Sequence, residues 1–528
     1  MYIKKMNGPV IANLDDPVAE TTSGKVRGVW IDGTYMFRSI RYAEAVRFHQ
    51  PERAKHWDGI DSCIIYKGVC PELDAPVPSD NFYVPHMFYR YDENCLTLNV
   101  WTGSLDSDAK KPVMVWLHGG GYSMGSAIEL YSYDGENLSK YGDVVVVTVN
   151  HRLHALGYTD FSKYGEEYAN SGNAGIMDLV EALKWIRDNI ANFGGDPDNV
   201  TLFGQSGGGG KIMSLMQTPA ADGLYHKACI QSAVAETVGM AGGKQENARE
   251  LADLFLKNAG LPLSKEGVQA LEKMPFDELA KAANAALKEA LEIAGDGDPF
   301  AHNFGPVANE FMYGSQMIEG FRKENLNVPL IVGSVFGEFS NNLAQTIGEG
   351  SKNKWSDEVR EAFLDERFGD LKESVVEEFR KVYPEKTTAD LLYIDTLFRR
   401  ATVKYVEERS RVSSAPVYNY LFNLEFTFND GAIAFHNAEI PYVFHNADYL
   451  EALYIPEVTE RLQDQMALAW VNFARTGNPS NELMPEWAPV KDGNGACMVF
   501  DKTTECRFHH DDELLKKMPA SLYIKPKR

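Results

Sequence analysis

The feature of this sequence that most constrains its fold is a series of short runs that are apolar throughout and rich in β-branched residues. Such runs, bounded by turn residues, occur at 113–117, 144–149, 200–203, 330–335 and 417–422. A strand that alternates apolar and polar residues has one face exposed to solvent, whereas a strand that is apolar throughout is buried on both faces. The runs therefore predict strands of a parallel sheet that is covered by helices on both sides.

Helical patterns lie between these runs. The clearest covers residues 174–192, and its apolar positions follow the spacing of one buried helix face: Ile176, Leu179, Val180, Leu183, Ile186 and Ile190. Alternation of strand and helix predicts an α/β fold with a central, mostly parallel sheet flanked by helices. Residues 245–288 and 357–411 are charged and helical in pattern, and we expect them to be insertions covering the functional site. The economical interpretation is one domain over residues 15–525.

Charge and composition exclude several classes of function. The 528 residues include 52 basic and 75 acidic side chains, which gives a formal charge of −23. A surface this acidic repels phosphate backbones and anionic lipid heads, so we expect no nucleic-acid or membrane partner. The N-terminal residues carry no signal-peptide pattern, and no apolar run of about 18 residues occurs. The sequence thus predicts a cytoplasmic protein that is not exported.

The strongest chemical motif is G-x-S-x-G at residues 204–208, which read GQSGG. The apolar run 200–203 precedes Ser206, and a plausible helix follows it. In this setting the serine occupies a tight turn between strand and helix that exposes its hydroxyl above the sheet. Glycines beside Ser206 permit the crowded, positive-φ backbone that such a turn needs, because a Cβ there would collide with its neighbours. The pattern predicts a nucleophilic serine.

Two competing interpretations of these glycines are weaker. A second G-x-S-x-G match surrounds Ser123, but it follows a run of three glycines in a long loop, so we interpret that match as coincidental. A phosphate-binding loop ending at Lys211 would need Gly where Gln205 stands, and Ile212 follows the lysine instead of Ser or Thr. The spacing therefore disfavours nucleotide binding.

The sequence HGGG begins at His118, directly after the apolar run 113–117. Glycines let the backbone direct several N–H groups toward one point and let a substrate carbonyl approach closely, which an oxyanion hole requires. The alternative is a flexible loop at the end of a strand. Because G-x-S-x-G follows downstream, in the order expected of esterases, we interpret the loop as functional. We expect His118 to order this loop rather than to take part in the chemistry.

With these motifs in place, the chain resembles the type-B carboxylesterases, the family that includes the cholinesterases, over nearly its whole length, and specifically a bacterial-type, non-secreted member. The matching stretches are ENCLTLNVW from Glu93, HGGGYSMGS from His118, NHRLHALGY from Asn150, GNAGIMDLVEALKWIRDNIANFGGDPDNVTLFGQSGGG from Gly172, GSVFGEFS from Gly333, PVYNYLF from Pro416, HNAEIPYVF from His436 and WVNFARTGNP from Trp470. Their order and spacing agree throughout. The resemblance implies an α/β-hydrolase fold.

The resemblance also implies a catalytic site. It identifies Ser206 as the nucleophile, Glu338 as the triad acid and His436 as the general base. The backbone N–H groups of Gly120, Gly121 and Gly207 would then form the oxyanion hole. The chain order serine, acid, histidine is that of α/β-hydrolases. This machinery requires neither a metal nor an organic cofactor.

Several positions depart from the family pattern. Position 205 is Gln where the cholinesterases carry Glu, position 437 is Asn where the family usually has Gly, and Pro85 stands where the choline-stacking Trp would be. In secreted relatives the cysteines equivalent to Cys70 and Cys95 form a disulfide, a bond that we do not assume in a chain without an export signal. Arg47 and Glu93 hold positions that pair as a structural salt bridge in the family, so we leave them out of the site.

The predicted activity is hydrolysis of small-molecule carboxylic esters, neutral aliphatic or aryl, through an acyl-enzyme. Residues 82–91, rich in Phe and Tyr, are expected to wall the pocket. One alternative is a non-catalytic adhesion or recognition module of the same fold. Another is an amidase, thioesterase or carbamate hydrolase that uses the same triad, since leaving-group preference depends on the shape of the pocket.

Overall fold

The computed structural model describes residues 8–74, 84–235, 244–294, 303–340 and 351–519. The strands are β1 (Val10–Ile11), β2 (Val18–Thr21), β3 (Gly24–Arg27), β4 (Val29–Ile31), β5 (Thr34–Arg41), β6 (Ala43–Glu44), β7 (Glu52–Arg53), β8 (Ile60–Ser62), β9 (Thr97–Thr102), β10 (Lys111–Leu117), β11 (Val145–Val149), β12 (Gly195–Gln205), β13 (Lys227–Gln231), β14 (Leu330–Val335), β15 (Val417–Phe422), β16 (Ala496–Phe500) and β17 (Glu505–Phe508).

The α-helices within those residues are α1 (Glu136–Gly142), α2 (His154–Tyr158), α3 (Ala174–Asn189), α4 (Gly207–Met216), α5 (Gln245–Asn258), α6 (Lys265–Glu272), α7 (Phe276–Ala294), α8 (Gln316–Glu319), α9 (Asp357–Phe368), α10 (Lys372–Val382), α11 (Arg399–Val412), α12 (Ile440–Val443), α13 (Val458–Thr476) and α14 (Asp512–Lys517). None of these helices is both long and apolar enough to cross a bilayer.

Most strands of the described chain belong to one sheet, in the order β1-β4-β5-β9-β11-β10-β12-β13-β14-β15-β16-β17. The strands from β11 to β16 run parallel, and the strands at the two margins are antiparallel. Strand β10 lies between β11 and β12, so the strand order reverses beside β10. In open α/β sheets, ligands bind outside the carboxyl ends of the strands at such a reversal.

The apolar runs form strands for the predicted reason. In β10, Val113, Val115 and Leu117 pack into one core cluster, whereas Met114 and Trp116 pack into another. Successive side chains of a strand point to opposite faces, so both faces of the sheet are covered. All five predicted strands are present, with bounds that differ by a few residues at 111–117 and 195–205.

The predicted helix at 174–192 is confirmed as α3, followed by a 3₁₀ turn over Ile190–Phe193. Gly194 then has a φ of 73° and ends the helical segment. Both charged segments are helical: 245–288 lies in α5, α6 and α7, and 357–411 lies in α9, α10 and α11. They are inserted between consecutive strands of the sheet, the first after β13 and the second after β14. The single-domain interpretation of residues 15–525 stays a prediction.

Candidate active site

Ser206 occupies the turn between β12 and α4. Its φ is 56° and its ψ is −125°, a backbone conformation that is strained for a residue with a side chain. The backbone N–H of Ser206 donates to the carbonyl of Gln231 at 2.8 Å, which ties the turn to the end of β13. The residue is nearly buried, with 9% of its surface exposed. The structure thus has the predicted strand-turn-helix geometry.

The glycines around Ser206 are required by close packing. A Cβ on Gly208 would collide with the carbonyl oxygen of Leu117, at the end of β10. A Cβ on Gly204 would lie 2.8 Å from the same oxygen. Real side chains do not tolerate such approaches, so only glycine lets α4 begin this close to β10.

The HGGG loop passes directly over this turn. Gly120 and Gly121 have φ angles of 80° and 61°, and the N–H groups of Ser123 and Met124 donate to the carbonyl of Gly120 at 3.2 and 3.1 Å. A Cβ on Gly207 would collide with the backbone of Gly121. The three glycines predicted to form an oxyanion hole are therefore neighbours, and Gly207 is the first residue of α4.

Glu338 and His436 are held together by two hydrogen bonds. The Nδ1 of His436 lies 2.5 Å from Oε2 of Glu338, and the backbone N–H of His436 donates to the backbone carbonyl of Glu338 at 2.6 Å. The second carboxylate oxygen of Glu338, Oε1, accepts the N–H of Val335 at 2.9 Å. Both carboxylate oxygens are therefore fixed, and Oε2 is directed at the imidazole.

Gln205 connects this pair to the serine turn. Its Nε2 lies 3.3 Å from Nδ1 and 3.2 Å from Nε2 of His436, so the amide faces the imidazole ring. Gln205 is the residue before Ser206, and this contact brings His436 to the serine turn. The rings of Phe339 and Phe398 also stack on His436, at centroid distances of 4.2 and 5.6 Å. Phe398 comes from the second helical insertion, which therefore contributes to the wall of the site.

Burial sets the protonation of the pair. Loss of hydration raises the pKa of the Glu338 carboxyl and lowers the pKa of the His436 imidazole, because the charged form of each group is penalised. The pKa of His436 is lowered to about 4, against the opposing attraction of Glu439 and Asp395. Groups 2.5 Å apart titrate as one unit, so the pair gains and loses protons jointly.

Two further buried carboxyls surround the pair, and the motifs did not indicate them. Burial raises the pKa of Asp395 to about 7, and nearby Glu338 adds to the shift. Burial likewise raises the pKa of Glu439 to about 7, with Glu338 again contributing. Asp395 accepts the N–H groups of Phe398 and Arg399, at the start of α11. Local sequence gave no signal that Asp395 or Glu439 is buried near Glu338, because that proximity depends on contacts between elements distant along the chain.

The departure at position 437 has a backbone explanation. Asn437 has a φ of 69°, the left-handed region in which glycine is the usual residue. Asn is the side chain that tolerates this region best, so it can replace the family's usual Gly without a change of backbone.

The remaining residues that the sequence singled out lie outside the triad. Ser123 is exposed in the loop and is not part of a strand-to-helix turn. Arg47 and Glu93 form a two-pronged salt bridge, with Nε–Oε2 at 2.6 Å and Nη2–Oε1 at 2.5 Å. Cys70 and Cys95 are buried free thiols. Within the residues that the structure describes, no group of three or more His, Cys, Asp or Glu side chains could hold a metal ion.

The aromatic segment 82–91 is only partly described, since Phe82 and Tyr83 lie outside the described residues. Pro85 is exposed, and Tyr89 packs edge-on against Tyr66 at a centroid distance of 6.1 Å. The interpretation of this segment as a pocket wall stays a prediction.

The chain is similar to known proteins in both sequence and structure. Residues 15–518 match the Carboxylesterase family. The chain is 32% identical to para-nitrobenzyl esterase of Bacillus subtilis, over 95% of this chain and 97% of the relative. It is also 32% identical to phenmedipham hydrolase of Pseudarthrobacter oxydans, over 92% and 94%. The solved structure of an esterase from anaerobic Clostridium hathewayi that can hydrolyze aliphatic aromatic polyesters superposes with a TM-score of 0.89, at 44% identity, over 97% and 99% of the two chains.

Proposed function

The chain belongs to the carboxylesterase family and hydrolyses carboxylic esters, and from that membership we propose that the reaction proceeds through an acyl-enzyme on Ser206. Glu338 and His436 complete the triad, and Gly120, Gly121 and Gly207 supply the oxyanion hole. The observation that carries the proposal is the Glu338–His436 hydrogen bond, located beside a strained serine turn.

In the acylation step, Ser206 Oγ attacks the ester carbonyl carbon while Nε2 of His436 takes the hydroxyl proton. Nδ1 of His436 donates to Oε2 of Glu338, which fixes the tautomer in which Nε2 carries no proton and can accept one. The carboxylate then stabilises the imidazolium that forms. The rings of Phe339 and Phe398 stack on His436, restrict its orientation and exclude water from the part of the imidazole that they cover.

The carbonyl oxygen becomes an oxyanion when the tetrahedral intermediate forms. Its charge is received by the N–H groups of Gly120, Gly121 and Gly207, and the N-terminus of α4 adds its positive partial charge. Collapse of the intermediate breaks the bond to the leaving alkoxide, which takes the proton from His436 Nε2 as the alcohol departs. A water molecule then attacks the acyl carbon and gives a proton to Nε2 of His436. When this second intermediate collapses, the bond between the acyl carbon and Ser206 Oγ breaks, Oγ takes the proton back from His436, and the carboxylic acid leaves.

We propose neutral aliphatic or aryl esters as substrates. Gln205 places an uncharged amide beside the nucleophile, and Phe339 and Phe398 give this side of the site an apolar, aromatic wall. A charged ammonium finds no carboxylate at position 205, whereas an aryl or alkyl group is favoured by burial against the rings. The aromatic para-nitrobenzyl group in the name of the Bacillus relative and the aliphatic aromatic polyesters named for the Clostridium relative support this choice.

The test is hydrolysis of a panel of p-nitrophenyl esters of increasing acyl length, together with the matching anilides. We expect a rapid burst of p-nitrophenol equal to the enzyme concentration, followed by steady turnover, since the acyl-enzyme accumulates when its hydrolysis is slower than its formation. Faster cleavage of the anilides than of the esters would instead indicate an amidase.

A further inference from the structure

Lys211 is a buried lysine on the side of α4 that faces the HGGG loop. It stands five residues after Ser206, and none of its surface is exposed. Its Nζ donates to the backbone carbonyl of His118 at 2.8 Å and lies 3.5 Å from the carbonyl oxygen of Gly119. Its sequence context disfavours a phosphate-binding role, and Lys211 takes no part in the proposed acyl-enzyme mechanism.

The carbonyl of Gly119 has a second donor. The Nδ1 of His118 lies 2.9 Å from that oxygen, and the His118 ring stacks on His151 with centroids 4.9 Å apart and an interplanar angle of 16°. Burial lowers the pKa of His118 well below its ordinary value, and nearby Lys211 and His151 lower it further, so the ring is neutral. Nδ1 must then carry the proton, because the carbonyl can only accept.

The backbone carbonyls of His118 and Gly119 determine where the N–H groups of Gly119 and Gly120 point. A trans peptide unit is planar, so the C=O of one residue and the N–H of the next point in opposite directions. Donors that hold the carbonyl of Gly119 on one side of the loop therefore turn the N–H of Gly120 to the other side. The loop lies against the serine turn at this point, since a Cβ on Gly119 would lie 3.5 Å from Cβ of Ser206.

We propose that Lys211 is a positioning residue for the oxyanion hole: with His118, it holds the peptide units 118–120 so that the N–H of Gly120 points at the developing oxyanion. The inference rests on the proposed function of Ser206 and the glycine loop. It assigns Lys211 no contact with substrate and no proton transfer.

The cost of burying this ammonium supports a specific role. An ammonium taken from water loses several kcal/mol of hydration, whereas a buried methionine of similar length fills the same space without that loss. Burial lowers the pKa of Lys211 to about 7, and the opposing attraction comes from Glu129 and Cys70. The hydrogen bonds of the Lys211 side chain go to the loop carbonyls.

The experiment compares Lys211→Met with the unmodified enzyme. For p-nitrophenyl butyrate, we expect kcat per titrated active site to fall about 10²-fold or more, the loss typical of one oxyanion-hole donor, and KM to stay within about threefold. A trifluoromethyl ketone adds to the serine and places an oxyanion in the hole, so its Ki should rise by a similar factor. The corresponding secondary alcohol cannot form this adduct, and its Ki should not change.

Lys227→Met is the matched control. Lys227 is a partly buried lysine at the start of β13, at the opposite end of the sheet from Ser206, where its Nζ donates to Asn199. We expect unchanged kcat and an unchanged ratio of the ketone and alcohol Ki values. If Lys211 had a purely structural role, Lys211→Met would lower thermal stability and the titrated fraction of active sites. Its kcat per active site and its ratio of ketone to alcohol Ki would then equal those of the unmodified enzyme. That result would overturn the proposal.

A second variant decides the question if Lys211→Met does not fold. His118→Phe removes the Nδ1 donor but retains a ring that can stack on His151, and we expect kcat to fall at least tenfold with KM unchanged. Unchanged kcat in His118→Phe, or in folded Lys211→Met, contradicts the inference. Ser206→Ala distinguishes failure of the proposed function from failure of the positioning role of Lys211. Full activity in Ser206→Ala would refute the proposed function itself. An inactive Ser206→Ala together with a fully active Lys211→Met would refute the positioning role alone.

Discussion

Nδ1 of His436 lies 2.5 Å from Oε2 of Glu338, although 98 residues separate the two along the chain. Both groups are almost fully buried, and the backbone of one residue is hydrogen-bonded to the backbone of the other. The side chains therefore meet in one geometry, with the imidazole oriented before substrate arrives. Preorganisation of this kind is the basis of the predictions below.

Glu338→Gln should lower kcat by about 10⁴ with a much smaller change in KM, because the amide can neither stabilise the imidazolium nor fix the same tautomer. Steady-state kinetics of folded protein measure this loss. Glu136→Gln is a suitable control, since Glu136 is a buried carboxylate that pairs with Lys140 in α1. Turnover near that of the unmodified enzyme in Glu338→Gln would remove Glu338 from the triad.

Ser206→Ala should abolish ester hydrolysis, since only binding and the oxyanion hole would remain. Ser123→Ala, at the second G-x-S-x-G match, should retain most of its activity because Ser123 is exposed in a loop. A fluorophosphonate probe followed by peptide mapping gives an independent measurement. The label is expected on the Ser206 peptide, and recovery on the Ser123 peptide alone would contradict the assignment.

The pH dependence of kcat/KM should rise through one apparent pKa that lies below 6.5, the ordinary value for histidine. A general base must be neutral, and burial penalises the imidazolium of His436, so a more acidic solution is needed to protonate it. Activity is lost as the pH falls through this pKa. Gln205→Glu introduces a carboxylate against the ring and should raise the midpoint. A midpoint above 7 in the unmodified enzyme would be inconsistent with the buried geometry.

Choline esters should have no advantage over neutral isosteres. Gln205 carries no charge, and Pro85 replaces the aromatic face whose attraction for an ammonium is worth about 2 kcal/mol when desolvated. The comparison is kcat/KM for butyrylcholine and for 3,3-dimethylbutyl butyrate at about 0.15 M salt, where long-range attraction is screened. A preference for the choline ester above about tenfold, or 1.4 kcal/mol, would show that another cation site exists.

Gly207→Ala should reduce kcat at least 10²-fold while the protein remains folded. The added Cβ would collide with the backbone of Gly121, so the loop must move and its N–H groups lose their alignment with the oxyanion. Gly223→Ala is the control: its φ of 74° strains the new residue, but its Cβ has open space, so stability falls by about 1–3 kcal/mol and activity is kept. Equal kcat in Gly207→Ala and the unmodified enzyme would exclude the loop from catalysis.

Part of the fold was not predictable from local pattern. Strand β13 lies at the centre of the sheet, yet its residues 227–231 read KACIQ, with a polar residue at each end. Strands β9 and β16 were also missed. A run of five residues with two polar ends is compatible with several local structures, and only pairing with β12 and β14 selects the extended one.

The sequence alone determined the features whose causes are local. Five runs became strands because their residues are apolar at successive positions, which suits burial on both faces of a sheet. The glycines around Ser206 indicated a tightly packed turn, where a Cβ would collide with neighbouring backbone. The Glu338–His436 pair was reached by resemblance, not by pattern. Only the tertiary structure decided that pairing, the burial that shifts both pKa values, and the position of Lys211 beneath the HGGG loop. Such relationships join residues on different elements, and the distance and loss of water that create them arise only when those elements pack.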